Sequence, residues 1–110
     1  MNLLLLGDIM AKPGRVVLKK KLQTIIKKNK IDFVIANVEN ADDSGKGITK
    51  KICDELFALN IDVMTSGNHI FDLKETLDFV KSEDRLLRPA NYSTELPGKG
   101  FGIFNSKKNS

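Results

Sequence analysis

The chain has no tryptophan, one tyrosine, one histidine and one cysteine, and only 6% of its 110 residues are aromatic. Aliphatic side chains must therefore do the packing, and at 41% hydrophobic content there are enough of them for one domain with a real core. The lone Cys53 excludes an internal disulfide framework and suits a reducing compartment. It falls in a predicted helix among apolar neighbours, where a free cysteine packs like a small hydrophobe. No apolar run approaches the length of a membrane span, so no membrane partner is expected. The start, Met1 to Gly7, lacks a positive leader region and runs into Asp8. It reads as a strand rather than a signal peptide, and the expected location is cytoplasmic.

What is present is an alternating pattern. Leu3 to Leu6 is a continuous apolar run that suits a strand buried on both faces. Ile9 to Pro13 reads as a loop, with Pro13-Gly14 as its turn. A helix is predicted from about Arg15 to Lys28, with Leu18, Leu22, Ile25 and Ile26 on one stripe. Phe33 to Val38 is the second strand. A second helix opens at Ile48-Thr49, with Thr49 as its cap and Ile52, Leu56 and Leu59 facing inward. Ile61 to Thr65 is the third strand. A third helix is predicted over Leu73 to Lys81, capped by Asp72, with Leu77 and Val80 inward. Leu86 to Asn91 reads as a short extended piece, Pro97 to Gly100 as a turn, and Phe101 to Phe104 as the start of another strand. The order predicts an α/β domain, a βαβαβα unit with mainly parallel strands, over residues 1–104. Residues 105–110 form a polar tail.

The net charge is +4. Much of that excess comes from Lys19, Lys20, Lys21, Lys27 and Lys28. The run lacks interleaved aromatics and a large apolar face, so its plain reading is a solvated outer helix surface.

The polar residues that could do chemistry fall at strand ends. Asp8 follows the first strand, Glu39-Asn40 the second and Asn68-His69 the third, at intervals of about 30 residues, one βαβ unit each. Successive parallel strands end at the same edge of a sheet, so the three clusters should meet where open α/β folds bind ligands. Two carboxylates and two carboxamides are hard oxygen donors suited to divalent cations such as manganese, magnesium or ferrous iron. Such ions acidify a bound water, and His69 could protonate a departing alkoxide. Taken singly, Asp8, Asn40 and Asn68 could equally be loop or cap residues. Their recurrence at three consecutive strand ends favours a site.

These residues also carry a resemblance. Leu6-Gly7-Asp8-Ile9, Asn37-Val38-Glu39-Asn40-Ala41, Gly45-Lys46-Gly47-Ile48-Thr49, Ser66-Gly67-Asn68-His69-Ile70-Phe71-Asp72 and Leu87-Arg88-Pro89-Ala90-Asn91-Tyr92 resemble the YmdB-type metallophosphoesterases. That group lies within the calcineurin-like phosphoesterase superfamily. The resemblance implies a four-layer α/β/β/α sandwich and two divalent metal ions, iron or manganese. It implies hydrolysis of phosphodiesters, cyclic nucleotides among them, of the 2′,3′-cyclic nucleotide 2′-phosphodiesterase type. By matching motif, Asp8 and Asn40 would ligate one metal, Glu39 would bridge both, Asn68 would ligate the second, and His69 would protonate the leaving group.

The match has a departure. Family members are longer and take further metal ligands from histidines in the second half of the fold, whereas no histidine follows His69 here. The ligand set is therefore incomplete, and the expectation is an amino-terminal half, from a truncated frame or a split protein, of doubtful activity alone. An uncovered sheet face would invite a homo-oligomer or a complementing second half. The competing expectation is a non-enzymatic module that binds a partner or RNA through that face or through the lysine-rich helix.

Overall fold

The computed structural model describes residues 1–106. The polar tail beyond Ser106 lies outside the described residues. Three strands form one parallel sheet in the order β1-β2-β3, with β1 Leu3–Asp8, β2 Phe33–Asn37 and β3 Val63–Thr65. The register sets Leu4 beside Val34, Leu6 beside Ala36, and Ala36 beside Met64. These residues share the face that packs on helices α1 (Ala11–Lys28) and α2 (Lys50–Ala58). The core is Val34, Ala36 and Met64 from the sheet, Leu22 from α1, and Ile52, Cys53 and Leu56 from α2. The α/β expectation holds.

Several boundaries move. The helix expected from Arg15 begins at Ala11, and Pro13-Gly14 is not a turn before it. Proline is tolerated in a first turn, where its missing N–H has no intrahelical partner. Gly14 N–H closes that turn on Met10 O at 3.0 Å. Ile25 leaves the inward stripe and is exposed, while Leu18, Leu22 and Ile26 pack on the core. Thr49 caps α2 as expected, its hydroxyl accepting from Ile52 N–H at 3.1 Å. The third helix is shorter, α3 Lys74–Phe79 followed by a 3-10 turn Val80–Ser82, and it buries Thr76, Phe79 and Val80. Leu77 is only half-buried. Asp72 does not cap α3; its carboxylate is engaged by His69.

The first strand is not buried on both faces. Leu3 is 53% exposed and Leu5 69%. They lie on the face opposite the helices, on the edge strand of the sheet, and nothing among the described residues covers them. Phe101 to Phe104 forms no strand. An extended segment becomes a strand only when a neighbour takes its N–H and C=O groups. Here the pairing stops at Leu87 with Lys99, and Ile103 stands 97% exposed. Leu86 does continue the sheet by one parallel bridge to Met64. The chain at Leu86–Arg88 therefore occupies the place of a fourth strand.

Cys53 sits in the core against Met64, Sγ to Sδ 3.8 Å. Burial pushes its thiol from 9.0 up to about 12, with Glu83 adding to the effect. The folded state thus favours the neutral thiol, and the resulting stability is lost as pH rises from about 9 toward 12. Ellman's reagent at pH 8 is expected to leave Cys53 unmodified until denaturant unfolds the chain. Rapid modification of the native protein would contradict this packing.

Candidate active site

The sheet register carries β1, β2 and β3 to a common carboxyl edge. Asp8 pairs with Asn37 across a bulge after Leu6, and Asn37 pairs with Thr65. Residues just beyond these positions belong to one neighbourhood, as the strand-end spacing predicts. Ile9 N–H donates to Asn37 O at 3.1 Å and Val38 N–H to Thr65 O at 3.0 Å, so the strand exits are tied together. Ala11 takes a φ of 52 and donates its N–H to Asn40 O at 2.9 Å. A left-handed non-glycine residue costs about 1 kcal/mol, and this bond helps hold it.

The loop after Asn40 is closed by its own backbone. Asp42 N–H bonds Gly47 O at 2.9 Å, and Gly47 N–H bonds Glu39 O. Gly47 has a φ of +80, and a Cβ there would meet Leu73 Cγ at 2.9 Å. Only glycine fits both demands. Arg15 reaches across from α1 to Ala41 O and to the Asp43 carboxylate, the latter at 2.6 Å.

Within this frame the expected residues form two linked groups. Asn40 Nδ2 donates to both oxygens of Asp8, at 3.1 and 3.2 Å. That fixes the carboxamide, and its Oδ1 is left buried with no hydrogen-bond partner. Glu39 accepts from Asn37 Nδ2 at 3.3 Å on one oxygen and from His69 N–H at 3.0 Å on the other. Glu39 also lies directly against Gly67, where a Cβ would come within 2.8 Å of Oε2 and nearer still to Oε1. His69 Nδ1 is 2.7 Å from Asp72 Oδ2. Asn68 sits between Gly67 and His69 in the same turn, with its side chain exposed and unbonded among the described residues. The structure thus ties Asp8 to Asn40 and Glu39 to His69. It leaves the Asn68 carboxamide outside both hydrogen-bonded groups.

Three contributors were not singled out by the sequence reading: Asn37, Gly67 and Asp72. Asn37 ends β2 with its side chain on the carboxylate two residues on. Gly67 had a signal, since a glycine at a strand exit marks close approach of another group. Asp72 had one as well, an acid three residues after the only imidazole, but its position before α3 suggested a cap.

A fit to divalent cations can be tested on this geometry. A buried carboxamide oxygen without a donor is costly unless a ligand meets it. Asn40 Oδ1 is such an atom, held in place by the bonds to Asp8. The donors are oxygens, which hard cations prefer. Among the described residues no three His, Cys, Asp or Glu side chains converge, so the carboxamides are needed to complete a ligand set. The residues present fit a cation held partly by amides.

The fold is that of an α/β domain whose three parallel strands deliver polar residues to one sheet edge. The chain belongs to the YmdB-like protein family, whose model matches residues 4–110. It is 42% identical over 101 residues to the 2′,3′-cyclic-nucleotide 2′-phosphodiesterase of Bacillus subtilis, covering 92% of this chain and 38% of that protein. A solved structure of a Thermus thermophilus protein described as hypothetical matches with a TM-score of 0.85 at 37% identity, over 96% of this chain and 40% of that one. A solved Mycoplasma pneumoniae phosphatase matches with a TM-score of 0.86 at 33% identity, over 96% of this chain and 39% of that one. The chain therefore spans about two-fifths of the length of the relatives it matches.

Proposed function

We propose that these residues are part of the site of a metal-dependent phosphodiester hydrolase acting on 2′,3′-cyclic nucleotides. The observation that carries the reading is the buried, partnerless Asn40 Oδ1 beside Asp8. Asp8 and Asn40 would hold one cation, Glu39 would serve both that ion and a second, and Asn68 would complete the second. Iron or manganese suits this donor set. Such ions supply Lewis acidity toward the phosphoryl oxygens and an acidified water.

The chain's own residues do the remaining work. The bond from His69 N–H orients the Glu39 carboxylate, and Asn37 supports its other oxygen. His69, with Nδ1–H donating to Asp72, presents Nε2 to the leaving oxygen, and in its doubly protonated form it gives that oxygen the Nε2 proton. In the overall reaction water's oxygen bonds to phosphorus, the bond to O2′ breaks, O2′ takes a proton, and a 3′-phosphate monoester results. No helix among the described residues is long and apolar enough to cross a membrane. Cytoplasmic placement is part of this proposal.

By the same reading, the bare face bearing Leu3 and Leu5 takes further sheet from a second copy or a complementing chain. Light scattering that reads a monomer at high concentration would remove the second copy.

The test is hydrolysis of a 2′,3′-cyclic mononucleotide with added Mn²⁺ or Fe²⁺, followed by chelation. Turnover is expected with metal and is expected to vanish with EDTA. Turnover that survives complete chelation would overturn the metal-dependent reading, and none in a folded, metal-loaded sample would overturn it for this chain alone.

A further inference from the structure

Helix α1 carries seven positive side chains and no acid, against a chain total of only +4. The rest of the chain is therefore net negative, and the positive potential is concentrated on one element. Six of the seven are the exposed Lys12, Lys19, Lys20, Lys21, Lys27 and Lys28. None of these has a carboxylate partner among the described residues. At 1.5 Å per residue they extend along about 24 Å of helix.

The position of this helix gives the charge a direction. Ala11 bonds Asn40 O, so α1 starts at the edge where Asp8, Glu39 and Asn40 gather. From there the lysines lead away from the site along the solvent side. At the site end a groove of about 210 Å³ opens between α1 and α2. Its cationic side is Lys12, Arg15 and Lys19, and from α2 it is lined by Leu56, Leu59 and one acid, Glu55. Arg15 is anchored by Ala41 O and Asp43, in the loop that follows Asn40. Arg15 thus ties the groove to the loop that follows Asn40.

We propose that the substrate of this site is the 3′ end of an RNA strand, and that α1 is the track that holds the strand's phosphates. The proposal rests on the hydrolase reading only for what happens at the strand's end. The chemistry of that end is restrictive. A 2′,3′-cyclic phosphate consumes both ribose hydroxyls, so a chain can continue only from the 5′ oxygen. A polynucleotide bearing this group bears it at its 3′ terminus, and DNA, lacking the 2′ oxygen, cannot. A site for the cyclic end therefore needs a surface leading away from it for the upstream phosphates, and the solvent side of α1, with unpaired lysines spread around it, is such a surface. The track carries no aromatic side chain, so it holds phosphates without stacking bases and without sequence preference. A membrane is disfavoured by the same composition. The exposed apolar residues of α1 are Val16, Val17 and Ile25, too few and too dispersed for an interfacial helix.

The experiment reads binding without turnover. A 5′-fluorescent RNA of about 12 nucleotides ending in a 2′,3′-cyclic phosphate is titrated in EDTA by anisotropy over a salt series. The triple variant Lys19→Gln, Lys20→Gln, Lys21→Gln keeps good helix formers at exposed positions. It is expected to bind about tenfold more weakly at low salt. The slope of log affinity against log salt should fall by about 2, three contacts at about 0.7 each. Hydrolysis of a 2′,3′-cyclic mononucleotide, which does not reach the track, should be unchanged. RNA affinity equal in the two proteins would overturn the proposal, as would flotation with phosphatidylglycerol vesicles in place of RNA binding. RNA binding without any hydrolysis would leave the track and remove the hydrolase reading; mononucleotide turnover without RNA binding would do the reverse.

Discussion

Gly67→Ala is expected to lower Mn²⁺ affinity by at least about 100-fold and to abolish metal-dependent hydrolysis, although it adds one methyl group to a residue that ligates nothing. The cause is the Glu39 carboxylate. A Cβ on Gly67 would stand 2.8 Å from Oε2, closer still to Oε1, and 2.9 Å from Cδ. Two of these atoms carry the negative charge, and the whole group is already fixed by Asn37 and by the His69 N–H. It cannot yield without losing both bonds. Moving it would also release His69 N–H from its acceptor, so one methyl disturbs the proposed bridging carboxylate and the proposed proton donor together. The stability cost of such overpacking is about 1–3 kcal/mol, small enough to leave a folded protein for calorimetry. Gly7→Ala is the control, since its Cβ would meet nothing within 4 Å. Equal Mn²⁺ affinity in Gly67→Ala and the parent would show that Glu39 is not placed by Gly67, or that it binds no cation.

Much of this arrangement was legible in the residues because it rests on period and spacing. Apolar runs separated by helical stripes give a parallel sheet, and equal intervals bring Asp8, Glu39-Asn40 and Asn68-His69 to one edge. What escaped depends on contacts between segments distant in sequence. The stripe on α1 counted Ile25 as inward, yet it stands 37% exposed while Leu18, Leu22 and Ile26 make the contact. Leu3 to Leu6 looked doubly buried because a continuous apolar run does not say which face another layer covers. The strand expected at Phe101 to Phe104 has the right side chains but no neighbour to pair with. Pro13-Gly14 misled because proline is a breaker inside a helix and a good opener in its first turn. Gly67 and Asn37 were passed over for a related reason. Their roles are defined by the Glu39 carboxylate that lies against them, from the preceding strand's exit for Gly67 and from two residues along the chain for Asn37.

Asp72 shows the same limit, and it leads to the second large effect. Asp72→Asn is expected to reduce kcat for cyclic nucleotide hydrolysis by about 100-fold while leaving KM within a factor of about three. Asp72 touches neither substrate nor the proposed metal ligands; it acts through His69, so it is a positioning residue. An ionised carboxylate can only accept, so Nδ1 at 2.7 Å must carry the proton. In the proposed mechanism that choice leaves Nε2 to face the leaving oxygen, and it fixes the plane of the ring. Asparagine can present either its oxygen or its NH₂ group, so the tautomer is no longer imposed. The pair is about one-third exposed on each side, which lets water compete and keeps the expected effect below that of a fully buried triad. A readout free of catalysis is at hand because His69 is the only histidine in the chain. Its two ring nitrogens give the only imidazole ¹⁵N signals. In the neutral ring these should report the Nδ1–H form in the parent and a mixture rich in Nε2–H in Asp72→Asn. A parent ring already rich in Nε2–H would mean that Asp72 does not hold His69. A normal kcat in the variant would mean that the proton reaching O2′ comes from somewhere else.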